Sequence, residues 1–355
     1  MRPGLPSMPA TCRTTEREES MFIRNGWYVA AAAGEVGRSL LARWICGEPV
    51  VMFRKEDGAP VALEDRCPHR KTQLSLGSLV GDEVQCLYHG LRFDCDGACT
   101  FIPGQDNIPP RLKARAYPLI EKYTWLWIWL GDPALADPES IPDYHWNDAP
   151  GWTPVGGYLN FRADYRLLVD NLLDLTHETY VHARTIGNMA VAHTPQQTEV
   201  DGDIVRVTRL MKDCDPPPLF RRARGIAGNI DRWQKIRFEP PAHIKIDAGG
   251  APVSPAEKDK VLNWWILNAL TPETERSTHY FWAVSRNFSQ GDEDLSKMVH
   301  QQTVQTFEED RDVLESQQRM IETDPSGGTL LAINCDAGGV AARRIIDARV
   351  RAEAA

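Results

Sequence analysis

Cys67-Pro68-His69-Arg70 and Cys86-Leu87-Tyr88-His89-Gly90 together read C-x-H-x16-C-x2-H. Each half supplies one thiolate and one imidazole. That is not a disulfide framework, and it is not the grouped C-x2-4-C followed by H-x3-5-H of a structural zinc site. Thiolates suit soft iron or zinc. A Cys2His2 set split in this way fits a [2Fe–2S] centre with both cysteines on one iron and both histidines on the other. Pro68 and Gly90 punctuate the two loops. The competing reading is a structural zinc knuckle, which predicts a colourless zinc protein. The cluster predicts a brown protein with acid-labile sulfide.

Mixed ligation of this kind is that of a Rieske centre, whose neutral imidazoles leave the cluster less negative and raise its potential. The rest of the composition suits a soluble redox protein. A chain of 355 residues with 42% hydrophobic content is long enough for two domains. Its net charge of −9 argues against nucleic acid or an anionic membrane as partner. Cys12, Cys46, Cys95, Cys99, Cys214 and Cys335 show no staple pattern, so the expected compartment is reducing and cytoplasmic. No apolar run approaches transmembrane length. Residues 1–21 carry Pro and charge without a signal-peptide core, and are expected to form a disordered N-terminal extension.

From Trp27 to Asp132 short β-rich runs alternate with turns. Strands are expected at Pro49–Arg54, Pro60–Glu64, Glu83–Leu87, Leu91–Phe93 and Trp125–Trp129, with turns at Glu56-Asp57-Gly58 and Cys95-Asp96-Gly97. Such strands imply a small all-β domain, assigned to residues 22–140. A Pro- and Asp-rich connection follows. The second domain, residues 141–355, reads as α+β. A helical block is expected near Tyr165–Val181 and a long helix from Leu295 to Ile321. Between them lie strands near Ile204–Leu210, Trp233–Phe238, His243–Asp247, Val261–Ala269 and Ser277–Ser285, forming an antiparallel sheet flanked by helices.

A second set of ligand-type side chains runs from Asp170 through Asn171, Asp174 and His177 to His182. Asp174 and His177, three apart, are expected to share a helix face, with the carboxylate orienting the imidazole. His177 and His182 are five apart and diverge on a regular helix, so the helix must bend or end near Tyr180 for both to reach one metal. One carboxylate would complete a two-His-one-carboxylate triad on non-haem Fe(II). Glu308, Glu309, Asp310 and Asp312 are all candidates, and periodicity does not choose among them.

Taken together, these residues resemble the Rieske non-haem iron oxygenases, the aromatic-ring hydroxylating family. The likeness runs from Phe22 onward. It covers the Cys–His pairs, the N-L-x-D-x-x-H-x4-H segment from Asn171 to His182, and Glu309-Asp310-Arg311-Asp312-Val313-Leu314-Glu315. Arg24-Asn25-Gly26-Trp27-Tyr28 and Leu270-Thr271-Pro272-Glu273-Thr274 are similar to the branch of vanillate and dicamba O-demethylase oxygenase components. The resemblance implies a [2Fe–2S] cluster on Cys67, His69, Cys86 and His89, and a mononuclear iron on His177, His182 and Asp310. It also implies a bridging Asp174 and a polar Asn171 beside the iron. Tyr88 and Thr72 stand where respiratory Rieske proteins carry an extra disulfide, a departure that points to the oxygenase type.

The family's mode of action implies electrons from a separate ferredoxin-type NAD(P)H reductase. It further implies a homotrimer in which His89 of one subunit meets Asp174 of the next. The expected reaction is O2-dependent demethylation of a vanillate-like methoxylated aromatic acid, through a hemiacetal that collapses to a phenol and formaldehyde. Methyl or ring hydroxylation by the same iron, or a bare electron carrier, are the alternatives. Asn268, Arg237 and Trp282, with Trp233 and His243, are the expected substrate-pocket residues, Arg237 holding a carboxylate through two hydrogen bonds.

Overall fold

The structure, a computed structural model, describes residues 21–325 and 330–354. The extension expected over residues 1–21 lies outside the described residues apart from Met21.

The N-terminal half contains eleven short strands. They are β1 (Trp27–Ala32), β2 (Leu41–Ile45), β3 (Glu48–Arg54), β4 (Pro60–Glu64), β5 (Ser78–Val80), β6 (Glu83–Gln85), β7 (Arg92–Phe93), β8 (Cys99–Phe101), β9 (Ala116–Tyr117), β10 (Leu119–Lys122) and β11 (Trp125–Trp129). These pair into three antiparallel sheets, β1-β11-β10, β2-β3-β4-β9 and β5-β6-β7-β8. The run Trp-Leu-Trp-Ile-Trp of β11 is apolar throughout because both its faces are covered. Trp125, Trp127 and Trp129 pack with Leu267, Ala269 and Phe281 of the second half. Leu126 and Ile128 point into the main core with Tyr28 and Tyr117. The period of two thus decides which residues weld the halves together.

The C-terminal half begins with β12 (Thr153–Phe161), followed by α1 (Tyr165–Leu173), α2 (Glu178–Val181) and α3 (Met189–His193). Next come β13 (Gln197–Asp201), β14 (Ile204–Cys214), α4 (Pro218–Arg224), β15 (Ile230–Glu239) and β16 (His243–Pro252). The chain closes with β17 (Leu262–Thr274), β18 (Ser277–Arg286), α5 (Glu293–Thr323) and α6 (Ala337–Ala354). One antiparallel sheet runs β12-β18-β17-β16-β15-β14-β13. Each strand expected in this half is present and somewhat longer. Strands β12 and β13 and helices α3, α4 and α6 lie outside the expected elements. In β13 the sequence Gln-Thr-Glu-Val-Asp lacks the apolar alternation that marks a strand.

The expected helical block is broken in two. α1 is capped by the Asp164 carboxylate, which accepts from Arg166 N at 2.8 Å, and it stops at Leu173. Asp174 then takes an extended conformation, φ −126° and ψ 97°, before a single 3-10 turn leads into α2. The outer flank of α1 is pinned by α6, where Arg343 Nε donates to both Asp170 carboxylate oxygens at 2.9 and 2.8 Å.

The two halves share hydrogen bonds as well as tryptophans. His243 of β16 donates from Nε2 to Trp27 O at 2.8 Å, and Thr271 donates to Val29 O at 2.7 Å. Burial lowers the His243 pKa to about 4, the bond to Trp27 O only partly opposing it, so the ring sits in this seam as the neutral species.

Candidate metal centres and active-site cavity

Two loops of matching construction carry the Cys–His pairs. Cys67 N–H donates to Thr72 O and Cys67 O accepts from Lys71 N, both at 2.8 Å. Cys86 N–H donates to Leu91 O at 2.8 Å and Cys86 O accepts from Gly90 N at 3.0 Å. Four residues after each cysteine the backbone is left-handed, with φ 63° at Lys71 and 72° at Gly90. Glycine takes that conformation freely, whereas lysine is strained there. Cys67 and Cys86 are buried, and His69 and His89 face solvent with ring centroids 4.7 Å apart.

Burial pushes the Cys67 thiol up, and the neighbouring Cys86 adds to the shift. Two buried thiols with two converging exposed imidazoles form a donor set for soft metal. A tetrahedral zinc ion would hold its donors roughly 3.5 Å apart. Among the described residues, the His/Cys/Asp/Glu groups with donor atoms all within 4.8 Å of one another do not include this foursome. The wider set suits two irons.

The second centre is assembled from distant segments. α1 ends, the 3-10 turn carries His177, and α2 ends at Val181, so His182 turns inward instead of following the helix. The donor atoms of His177, His182 and Asp310 lie within 4.8 Å of one another. Asp310 Oδ1 is 3.4 Å from His177 Nε2 and 3.1 Å from His182 Nε2. Asn171 Nδ2 donates to the same Oδ1 at 3.1 Å. Glu309, one residue earlier on α5, instead meets the far nitrogen of the ring, His182 Nδ1, at 2.8 Å. Burial would lower the His182 pKa, but its bonds to Asp310 and then Glu309 outweigh burial and raise it.

Asp174 corrects one expectation. It does not share a helix face with His177, because α1 has already ended. His177 Nδ1 is bonded by the Asp174 main-chain oxygen at 2.7 Å. The Asp174 carboxylate is turned to the N–H of Thr176 at 2.9 Å, with Arg209 Nη2 3.9 Å away. That main-chain bond leaves His177 Nε2 facing Asp310.

Beside this group lies a cavity with about 830 Å³ of empty space, its open mouth included. His177, His182, Asp310 and Asn171 form one part of its wall, and Leu219, Phe220, Ile266 and Phe307 belong to its apolar lining.

Two family descriptions match the chain, a Rieske [2Fe-2S] domain over residues 26–118 and a vanillate O-demethylase oxygenase C-terminal domain over residues 161–352. The chain belongs to the Rieske non-haem iron oxygenases. It is 40% identical over 342 residues to a putative toluene-4-sulfonate monooxygenase system iron-sulfur subunit of Comamonas testosteroni, covering 94% of this chain and 98% of that one. A vanillate O-demethylase oxygenase subunit from a Pseudomonas species is also 40% identical, with 94% and 96% covered. Dicamba monooxygenase bound to 3,6-dichlorosalicylic acid superposes with a TM-score of 0.88 at 35% identity, over 94% of this chain and 99% of that chain. Another structure of the same enzyme, with non-heme iron and dicamba, has a TM-score of 0.81 at 33% identity, with the same coverage.

This Rieske oxygenase is therefore an oxidoreductase, the oxygenase component of a monooxygenase system, with a [2Fe–2S] cluster and a mononuclear non-haem iron as cofactors. Its architecture is the expected one, an all-β Rieske domain followed by an α+β domain. A bare electron carrier is excluded, because the match continues through the C-terminal domain. Among the described residues, no helix is long and apolar enough to cross a membrane.

The expected pocket residues are placed elsewhere in this Rieske oxygenase. Arg237 points to the opposite face of the sheet, where Nε pairs with Glu239 at 2.7 Å. Asn268 is inside the packed core, donating to Ile244 O at 3.0 Å and accepting from Tyr280 Oη at 2.7 Å. Trp282 is buried against Phe307, His243 lies in the seam between halves, and Trp233 donates to Asp247 at 2.7 Å. On β15 the cavity face belongs to the other parity, Arg232 and Gln234. Both bind Glu178, the residue after His177: Arg232 Nη2 donates to Oε2, and Gln234 Nε2 reaches both carboxylate oxygens, all at 2.9 Å. The signal for these residues is in the sequence. Ile230, Ile236 and Phe238 mark the inward face of β15 and thereby mark Arg232 and Gln234 as buried polar positions.

Proposed function

We propose that this oxygenase demethylates a methoxylated aromatic acid related to vanillate. The observation that carries the reading is the convergence of His177, His182 and Asp310 at the wall of a largely apolar cavity. The 40% identity to a vanillate O-demethylase oxygenase subunit supports it. Bound, the cluster supplies single electrons and the mononuclear iron supplies activation of O2. His177, His182 and Asp310 are the residues that would hold that iron, and Cys67, Cys86, His69 and His89 the cluster. Asn171 steadies the Asp310 carboxylate, and Glu309 fixes the ring of His182. The apolar wall keeps bulk water from the reacting carbon.

In the balanced reaction, the aryl methyl ether, O2, NAD(P)H and a proton give the phenol, formaldehyde, water and NAD(P)+. Hydroxylation of the methyl carbon yields a hemiacetal, whose collapse breaks the carbon–oxygen bond to the phenolate. Electrons come from a separate ferredoxin-type reductase in the cytoplasm. That the electron donor is a separate component is supported by relatives named as the iron-sulfur subunit of a monooxygenase system and as an oxygenase subunit. A homotrimer brings His89 of one subunit to Asp174 of another. The exposure of His69, His89, Leu87 and Tyr88 at the cluster tip supports that docking. The toluene-4-sulfonate relative, at the same 40% identity, favours hydroxylation of an aromatic methyl group as the second reading.

The deciding experiment is oxygen uptake by the holoenzyme with a generic reductase over methoxy- and methyl-benzoates, with formaldehyde assayed. Stoichiometric formaldehyde from vanillate is expected. Benzylic alcohol from the methyl compounds without formaldehyde from any ether would establish the second reading instead.

A further inference from the structure

Within the cavity wall, hydrogen-bonding capacity is left over. Arg232 is 4% exposed and spends only Nη2 on Glu178; its Nε and Nη1 have no partner among the described residues. Trp264 is 2% exposed, and its Nε1 has none either. Both residues line the cavity, as does Gln302, whose Oε1 is also unpartnered. A buried donor without an acceptor costs about 1–3 kcal/mol, so a ligand that brings an acceptor to Arg232 or Trp264 gains by about that amount.

The strand register puts the two donors on one face. Trp264 pairs with Ala248, which pairs with Gln234, and Arg232 lies two residues before Gln234 on β15. Between Gln234 and Trp264 the floor is only the methyl group of Ala248, so Arg232 and Trp264 stand on either side of a low strand. Glu178 holds one edge of the guanidinium and is itself held by Gln234, which leaves Arg232 little freedom to rotate away. Gln302 is eight residues before Asp310 on α5, about 12 Å along the helix at 1.5 Å per residue. The cavity therefore extends well beyond the His177–His182–Asp310 group, and between its polar features the wall is apolar, as an aromatic ring requires.

We propose that Arg232, assisted by the indole N–H of Trp264, binds the oxyanion of the substrate, a carboxylate or a sulfonate. The inference rests on reading the cavity as the pocket of an aromatic oxygenase. It replaces Arg237, which faces away. Arg232 is a binding and specificity residue: it fixes the head of the ring and so sets which substituent reaches the His177–His182–Asp310 end. Charge-assisted hydrogen bonds from a dry guanidinium discriminate strongly against an uncharged head, because the alternative is an unpaired buried donor.

Calorimetric titration of the holoenzyme with 3-methoxybenzoate, 3-methoxybenzenesulfonate and 3-methoxybenzyl alcohol tests this without turnover. At least one of the two anions is expected to bind about 10- to 100-fold more tightly than the alcohol. Arg232→Gln should erase that preference while leaving the alcohol's affinity within about 2-fold, and Trp264→Phe should reduce it by about 3-fold. If Arg232→Gln fails to fold because Glu178 is left charged and unpaired, the double variant Arg232→Gln/Glu178→Gln carries the test. Equal affinity of wild type for anions and alcohol overturns the proposal, and so does a preference that survives the loss of Arg232. Which anion binds more tightly identifies the head group. Arg232-dependent anion binding without formaldehyde formation would sink the demethylase reading and leave this one standing.

Discussion

The proposed donors of the cluster all lie within residues 67–89, whereas those proposed for the second centre are drawn from His177, His182 and the distant Asp310. In the first region each loop makes its own scaffold: a cysteine, a main-chain bond to the residue five ahead, and a left-handed turn at the fourth. In the second, no segment holds more than two of the three donors. A helix must stop, a 3-10 turn must follow, and a 31-residue helix must cross at the right depth to bring in Asp310. Local loops can be read as a motif. A site made by packing is as good as the packing, so its neighbours matter as much as its donors.

The difference is open to direct attack. Asp310→Ala should have the largest effect, taking iron from about three to about two per chain and turnover to background, with the visible spectrum of the cluster unchanged. Iron content that stays near three would move the carboxylate role to another residue of α5. The reciprocal variant, Cys67→Ser, should lose the cluster absorbance and keep the mononuclear iron.

Asp174→Ala comes next. The oxygen that bonds His177 is main-chain and survives the substitution, so both metals should remain bound. Turnover is nevertheless expected to collapse, because the carboxylate is the proposed contact for His89 of another subunit. Normal rates of cluster reoxidation in a single turnover would rule that contact out.

Glu309→Gln keeps the size of the side chain and removes the charge facing His182 Nδ1. Iron affinity, measured by chelator competition, should fall about 10- to 100-fold, the range for partners that orient a metal-bound histidine. An unchanged affinity would mean that the His182 ring is held by packing alone.

The smallest effect concerns the seam that joins the two regions. His243 is neutral when folded, with a pKa of about 4 lowered by burial, against about 6.5 in the unfolded chain. The unfolded chain therefore binds the extra proton first, so this contribution is complete above pH 6.5 and is lost as pH falls towards 4. Between pH 7 and pH 5 the loss is about 2 kcal/mol, from the linkage relation. Denaturant titrations at the two pH values should show a slope that His243→Gln reduces by that amount. An identical slope in the variant would assign the pH dependence to carboxylates elsewhere.

Much of this molecule is legible before folding is considered. The strands with alternating or fully apolar patterns, such as Trp125–Trp129, are found where the pattern puts them. Polar edge strands and α6 are not, because an exposed edge or a helix with little apolar stripe carries weak periodicity. On β15 the expected Trp233 and Arg237 have the opposite parity to Arg232 and Gln234, which line the cavity. Any odd offset along a strand reverses the face, so Arg237, five residues after Arg232, points away from the cavity.

By itself the sequence determined the chemistry on offer: thiolate and imidazole at C-x-H and C-x2-H, two histidines five apart, and a helix rich in carboxylates. Ligand type and local spacing are properties of a short stretch of chain, and no packing is needed to read them. Tertiary structure alone decided that Asp310 faces both histidines while Glu309 supports one of them from behind. It also decided that the main-chain oxygen of Asp174, and not its carboxylate, holds His177. Those outcomes depend on where a helix ends and how deeply another is buried, and both are set by contacts between residues more than a hundred positions apart.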